Sequence, residues 1–145
     1  MAVSFQNADI AFKLPDKTAL KKIIYTSFEK EARKKLSVTY VFCSDEYLLR
    51  INQDFLKHDY YTDIITFPLS ETDTKVEAEI YISIDRVSEN ALKLKVPFEQ
   101  ELLRVIFHGV LHLIGYKDKT TTQKVAMRLA EEKWIKEFEK ATFRF

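Results

Sequence analysis

His108 and His112 stand four residues apart in the segment FHGVLHLIGYKDK, and they are two of only three histidines in the 145-residue chain. On a helix, positions i and i+4 share one face, with Cβ atoms about 5–6 Å apart. Two neutral imidazoles at that spacing can grip one cation. Gly115 follows His112 by three residues, where a helix can end and the chain can turn back. Asp118 can then bring a carboxylate to the same point. Three protein ligands with an open fourth position form the arrangement of a catalytic zinc centre. A cation held in this way lowers the pKa of bound water from about 15.7 toward about 7. A carboxylate ligand makes the ion a weaker Lewis acid than a third imidazole would, and two His plus one carboxylate also suits other divalent ions.

The offsets of His108, His112, Gly115 and Asp118 match the protease pattern H-E-x-x-H-x-x-G-x-x-H with two changes. Gly109 replaces the Glu, and Asp118 replaces the third His. The Glu is the general base of those enzymes, and glycine cannot take a proton. The spacing keeps a metal site and disfavours peptide hydrolysis.

The elements that must position these residues can be read along the chain. Val3 to Ile10 is a strand candidate. Pro15 and Asp16 open a helix whose apolar face is Leu20, Ile23, Ile24 and Phe28. Val38 to Cys43 is rich in β-branched and aromatic residues and reads as a buried strand. Ser44 caps a helix with Tyr47, Leu48, Ile51 and Phe55 on its inner side. Ile64 to Phe67 is a short strand stopped by Pro68, and Ser70 to Lys75 is a turn. Glu79 to Ile84 alternates, so Ile80, Ile82 and Ile84 share a face. Asp85 starts a short helix toward Leu92, and Pro97 precedes the main helix, Phe98 to Ile114. Thr120 with Gln123 forms a capping box for a last helix, with Ala126, Leu129, Ala130, Lys133, Trp134 and Phe138 as its seam. About four strands and five helices in mixed order predict one α/β (α+β) domain over residues 1–145, with a mixed sheet and the metal site on the main helix and its following loop.

Composition narrows the function classes. A hydrophobic fraction of 46% with 11 Phe and 7 Tyr excludes disorder as the default. A single cysteine, Cys43, excludes an internal disulfide framework and a thiolate zinc cage, and no disulfide-linked partner is expected. No run approaches the roughly 18 apolar residues of a membrane span, and the start lacks the features of a secretory signal. A cytoplasmic, non-membrane protein is the expectation. Lys+Arg 23 against Asp+Glu 22 leaves a net charge of +1, which hides local asymmetry. Between Lys13 and Lys35 eight basic residues face only three acids, Asp16, Glu29 and Glu31.

The run HGVLHLIGYKD resembles the signature of the YbeY family of bacterial endoribonucleases, H-G-x-L-H-L-x-G-Y-D-H. His108, Gly109, Leu111, His112, Leu113, Gly115 and Tyr116 stand where that family has them. Residues 51–68 resemble L-N-x-x-x-R-x-K-D-x-P-T-D-V-L-S-F-P through Asn52, Asp59, Thr62, Asp63, Phe67 and Pro68. Residues 79–91 are similar to the family's G-D-I-x-I-S-x-D-R-x-x-E-x-A. The resemblance implies a compact α/β fold around a four-stranded mixed sheet and one divalent metal, with zinc expected. It further implies single-strand-specific cleavage of RNA in rRNA maturation, especially at the 3′ end of the small-subunit RNA, and in ribosome quality control. RNA and the ribosome or its small subunit are then the partners.

Two departures matter. The family's third histidine is Asp118 here, which implies that metal binding survives with altered preference. The family's arginine, associated with catalysis, falls on Leu56, which cannot donate to a phosphate. Arg50, Lys57 and His58 are the nearby candidates for its role. Lys17, Lys21, Lys22, Arg33 and Lys34 are candidates for an RNA track, because RNA affinity needs a positive surface. Tyr60, Tyr61 and Tyr116 are candidate stacking platforms. The alternative is a non-catalytic RNA or ribosome assembly factor whose metal is structural, favoured by Leu56 and Asp118. Whether water or the RNA 2′-OH attacks is open at this point.

Overall fold

The computed structural model describes residues 2–142. Its elements are β1 (Ala2–Asn7), α1 (Lys17–Ala32), β2 (Lys35–Cys43), α2 (Asp45–Leu56), β3 (Ile64–Glu71), β4 (Lys75–Ser83), α3 (Ile84–Leu94), α4 (Phe98–Ile114) and α5 (Thr121–Thr142). The sheet order is β1-β2-β4-β3. β2 is parallel to β1 and β4, and β3 runs antiparallel to β4 along one edge.

Side-chain alternation gives the sheet two unequal faces. Leu36, Val38, Tyr40 and Phe42 of β2 and Val76, Ala78, Ile80 and Ile82 of β4 join the main core with α1, α4 and α5. The opposite face carries a smaller cluster of Cys43, Leu48 and Ile65 beneath α2. Burial pushes the Cys43 thiol up to about 12. α4 is the most apolar helix and is held in two ways. The Tyr40 hydroxyl donates to the Ile106 carbonyl at 2.8 Å. A Cβ built on Gly109 would meet Ile80 Cδ1 at 2.9 Å and Ile64 Cδ1 at 3.1 Å, so the helix rests on the sheet so closely that any larger residue must push these side chains aside.

The structure corrects several expectations. β3 continues through Pro68 into Ser70 and Glu71, because it is an edge strand and needs no outward N–H there. A register shift between Pro68 and Ser70 absorbs the proline. Ile84 starts α3 rather than ending β4, since Ser83 caps that helix by accepting from the Arg86 amide. Asp16 precedes α1 in a left-handed conformation with no side-chain cap, and β1 stops at Asn7. Phe55 is 70% exposed, and Leu48 and Asn52 are the buried residues of α2. The capping box at Thr120 and Gln123 is reciprocal, with bonds of 3.1 and 3.0 Å. The α5 seam is rotated: Met127, Ala130, Glu131, Trp134 and Phe138 are buried, while Ala126, Leu129 and Lys133 face solvent. Among the described residues no helix is long and apolar enough to cross a membrane.

Candidate metal centre

α4 places Glu101, Arg104, His108 and His112 at spacings of three and four, along one side of the helix. Gly115 then ends the helix at φ +130°, a conformation that an L side chain rarely adopts. Its amide lies 3.1 Å from the His112 carbonyl, and the Tyr116 amide donates to Leu111 at 3.0 Å. This tight turn swings the Tyr116 carbonyl onto His112 Nδ1, 2.9 Å away, and carries Asp118 back over the helix end.

Asp118 Oδ2 lies 3.3 Å from His108 Nε2 and 3.6 Å from His112 Nε2. The two imidazole rings sit edge to face, with centroids 4.6 Å apart. All three candidate donor atoms lie within 4.8 Å of one another. A carbonyl only accepts, so His112 Nδ1 carries a proton and its Nε2 keeps a lone pair when the ring is neutral. His108 Nδ1 faces Glu131 Oε2 at 2.7 Å, closer than Nε2 lies to Asp118 Oδ2, which favours the proton of the neutral ring on Nδ1. With both protons on Nδ1, the two Nε2 lone pairs and the Asp118 oxygen face one point. The residues present fit a divalent ion. The side chains are 15%, 34% and 42% exposed for His108, His112 and Asp118, so the group opens to solvent on the His112–Asp118 side.

Behind this group lies a charged network. Glu131 is buried at 2% exposure, and its Oε1 is 3.7 Å from Arg104 Nη1. Arg104 donates to both oxygens of buried Glu101, which raises the guanidinium's pKa. Its Nη2 also faces Asp63 at 4.0 Å. Burial raises the Asp63 carboxyl against the pull of Arg104. Three carboxylates, Glu101, Glu131 and Asp63, face this one guanidinium, Asp118 adds a fourth beside the imidazoles, and that formal excess of negative charge suits a dication.

A model of the family described as Endoribonuclease YbeY matches residues 3–139. The chain belongs to this family. A YbeY endoribonuclease of Cytophaga hutchinsonii is 48% identical over 130 residues, covering 90% of this chain and 91% of that protein. One from Flavobacterium psychrophilum is 44% identical over 136 residues, covering 94% and 96%. A solution structure of a Thermotoga maritima protein matches with a TM-score of 0.62 at 25% identity, covering 96% of this chain and 90% of that one.

Within the YbeY pattern, Gly109 now has a physical reason: the approach of α4 to Ile80 leaves no room for a glutamate. Leu56, in the place of the family arginine, is 39% exposed at the end of α2. Of the nearby candidates, Arg50 lies on the exposed side of α2, Lys57 caps that helix and reaches the Asp54 carbonyl at 3.4 Å. His58 stacks on Tyr60 and shares a 2.9 Å hydrogen bond with its hydroxyl. Among the described residues, none of the three pairs with His108, His112 or Asp118. Lys17, Lys21, Lys22 and Arg33 are exposed at α1, whereas Lys34 is tied to Glu71 at 2.7 Å. Tyr61 donates to Glu46 beneath the Arg86 guanidinium, and Tyr116 packs against the core.

Sequence reading missed Glu131, Arg104 and Glu101. Charged residues are usually solvated, and this prior hid them. One signal was available: Glu131 falls in register with Met127, Trp134 and Phe138, the one charge on an otherwise apolar stripe.

Proposed function

We propose that this chain is a metal-dependent endoribonuclease that cuts single-stranded segments of rRNA in the cytoplasm, at the small-subunit RNA and during ribosome quality control. The observation that carries the reading is the convergence of His108 Nε2, His112 Nε2 and Asp118 Oδ2 on one point, in a chain whose family is named for endoribonuclease activity. His108, His112 and Asp118 hold the ion, zinc by preference. When bound, it supplies Lewis-acid charge for the phosphoryl oxygens and for the attacking oxygen. The chain's own residues do the rest. The exposed flank at His112 and Asp118 admits the phosphodiester, while Arg104 and Glu101 stay neutralised by each other behind the imidazoles. Lys17, Lys21, Lys22 and Arg33 attract the RNA backbone from a separate surface. Arg50, Lys57 and His58 are the cations available near Leu56 to meet a phosphate.

The test is cleavage of purified rRNA by the full chain, with chelator, with zinc restored, and with His112→Ala. Cleavage that is lost in chelator, regained with zinc and absent in the variant supports the reading. RNA that is bound but never cut by zinc-loaded protein overturns it. That result would favour the assembly-factor reading, to which the leucine at position 56 points. Product ends separate the attacking group: a 2′,3′-cyclic phosphate reports the 2′-OH, and a 5′-phosphate with a 3′-OH reports water.

A further inference from the structure

We propose that Glu131 of α5 is a positioning residue of the centre: it sets which nitrogen of His108 faces Asp118. This rests on the metal reading of the His108–His112–Asp118 group. The two imidazoles are oriented by different means. His112 takes its orientation from a backbone carbonyl, that of Tyr116. His108 is held at Nδ1 by a side chain from a different helix, 23 residues further along.

A carboxylate at 2% exposure is costly unless each oxygen has a partner. Glu131 meets that condition through two contacts: Oε2 takes His108 Nδ1 at 2.7 Å, and Oε1 faces Arg104 Nη1 at 3.7 Å. Arg104 is itself clamped by Glu101, with Nε to Oε1 at 2.9 Å, so it cannot swing away. Trp134, one turn along α5, packs edge to face on Phe107 of α4 with centroids 5.6 Å apart. That contact, together with buried Met127 and Ala130, fixes α5 against α4 and sets Glu131 beneath the His108 ring. An acceptor at Nδ1 holds the proton there and leaves the Nε2 lone pair for the cation. Without it the ring is free to place its proton on Nε2, where it blocks ligation. Glu131 touches neither the reacting atoms nor the open flank, so its effect passes through His108.

The experiment measures zinc affinity by competition with a chromophoric chelator, and the His108 tautomer by ¹⁵N NMR of metal-free protein. The full chain is compared with Glu131→Ala, Glu131→Gln and His108→Ala. Partners of this kind typically contribute about 10–100-fold in metal affinity. Glu131→Ala is expected to lose that factor and to move the His108 proton from Nδ1 to Nε2. Glu131→Gln keeps an acceptor oxygen and is expected to fall between. Should Glu131→Ala not fold, Glu131→Gln carries the test by the same two readouts. Zinc bound by the wild type and weakened in His108→Ala, with affinity and tautomer unchanged in Glu131→Ala and Glu131→Gln, overturns the role of Glu131 and leaves the metal reading intact. A wild type that binds no zinc overturns the metal reading. The tautomer shift, read without metal, then still decides whether Glu131 orients His108.

Discussion

Gly109→Ala sets two effects of known size against each other. Alanine is favoured over glycine inside a helix by about 1 kcal/mol. Against this, the new Cβ would sit 2.9 Å from Ile80 Cδ1, 3.1 Å from Ile64 Cδ1 and 3.2 Å from Ile80 Cγ2, where ordinary contact begins at 3.4 Å. Ile80 is fully buried at the centre of the main core, so it has no solvent to retreat into. Overpacking of this kind costs about 1–3 kcal/mol. The net expectation is a loss centred near 1 kcal/mol, seen as a fall in Tm of about 2–4 °C for a domain of this size. A double-mutant cycle isolates the cause. Ile80→Val alone costs about 0.5–1.5 kcal/mol, but it removes the Cδ1 atom nearest the new methyl. In that background Gly109→Ala should be neutral or stabilising, giving a coupling energy of at least about 0.5 kcal/mol. Thermal or denaturant unfolding of the four proteins measures it. If Gly109→Ala stabilises the wild-type background by its full helix propensity, or costs the same with and without the Ile80 methyl, the helix–sheet approach does not explain the glycine.

Other outcomes follow from the same structure. Asp118→Ala should lower zinc affinity by more than the roughly 10–100-fold typical of an outer partner, and Asp118→His, which supplies an imidazole, should retain zinc; equal affinity in all three proteins removes Asp118 from the ligand set. The Cys43 thiol ionises at about 12 in the fold against an ordinary 9.0, so unfolding releases a proton between those values. Its contribution to stability is complete below about pH 9 and declines as pH rises toward about 12, so Cys43→Ala should show a shallower loss of stability than wild type over that interval. Replacing Lys17, Lys21 and Lys22 together by alanine should weaken binding of a short single-stranded RNA. The slope of log affinity against log salt should also shrink by about 0.7 per lost contact; an unchanged slope removes α1 from the RNA surface.

What the sequence disclosed divides by range. The histidine pair, the glycine bend and the aspartate lie within eleven residues, and their meeting follows from helix spacing plus one local turn at Gly115. The capping residues Ser44 and Thr120 were legible for the same reason, since each bonds a backbone amide three residues ahead. Pro68 signals a stop for β3 in sequence, a rule that fails on an edge strand. The α5 seam was misplaced because Leu129 is apolar and Glu131 is charged, yet the pairing with His108 and Arg104 brings the acid inside. Periodicity points Phe55 inward, yet it sits at the last turn of α2, exposed and touching the edge strand through Phe67. Tyr40 and Ile106 are 66 residues apart, and nothing local announces that bond.

The carbonyl that holds His112 belongs to Tyr116, and a carbonyl is common to all residues. No exchange of the side chain at position 116 can delete it, so this ligand's orientation is written in the path of the backbone and is insensitive to point substitution there. Only a change that redirects the turn can release it, and Gly115, at a torsion that strains any L side chain, is where such a change would strike. Within one pair of histidines, then, heredity can adjust the first through a distant glutamate, while the second is left to the chain's own course.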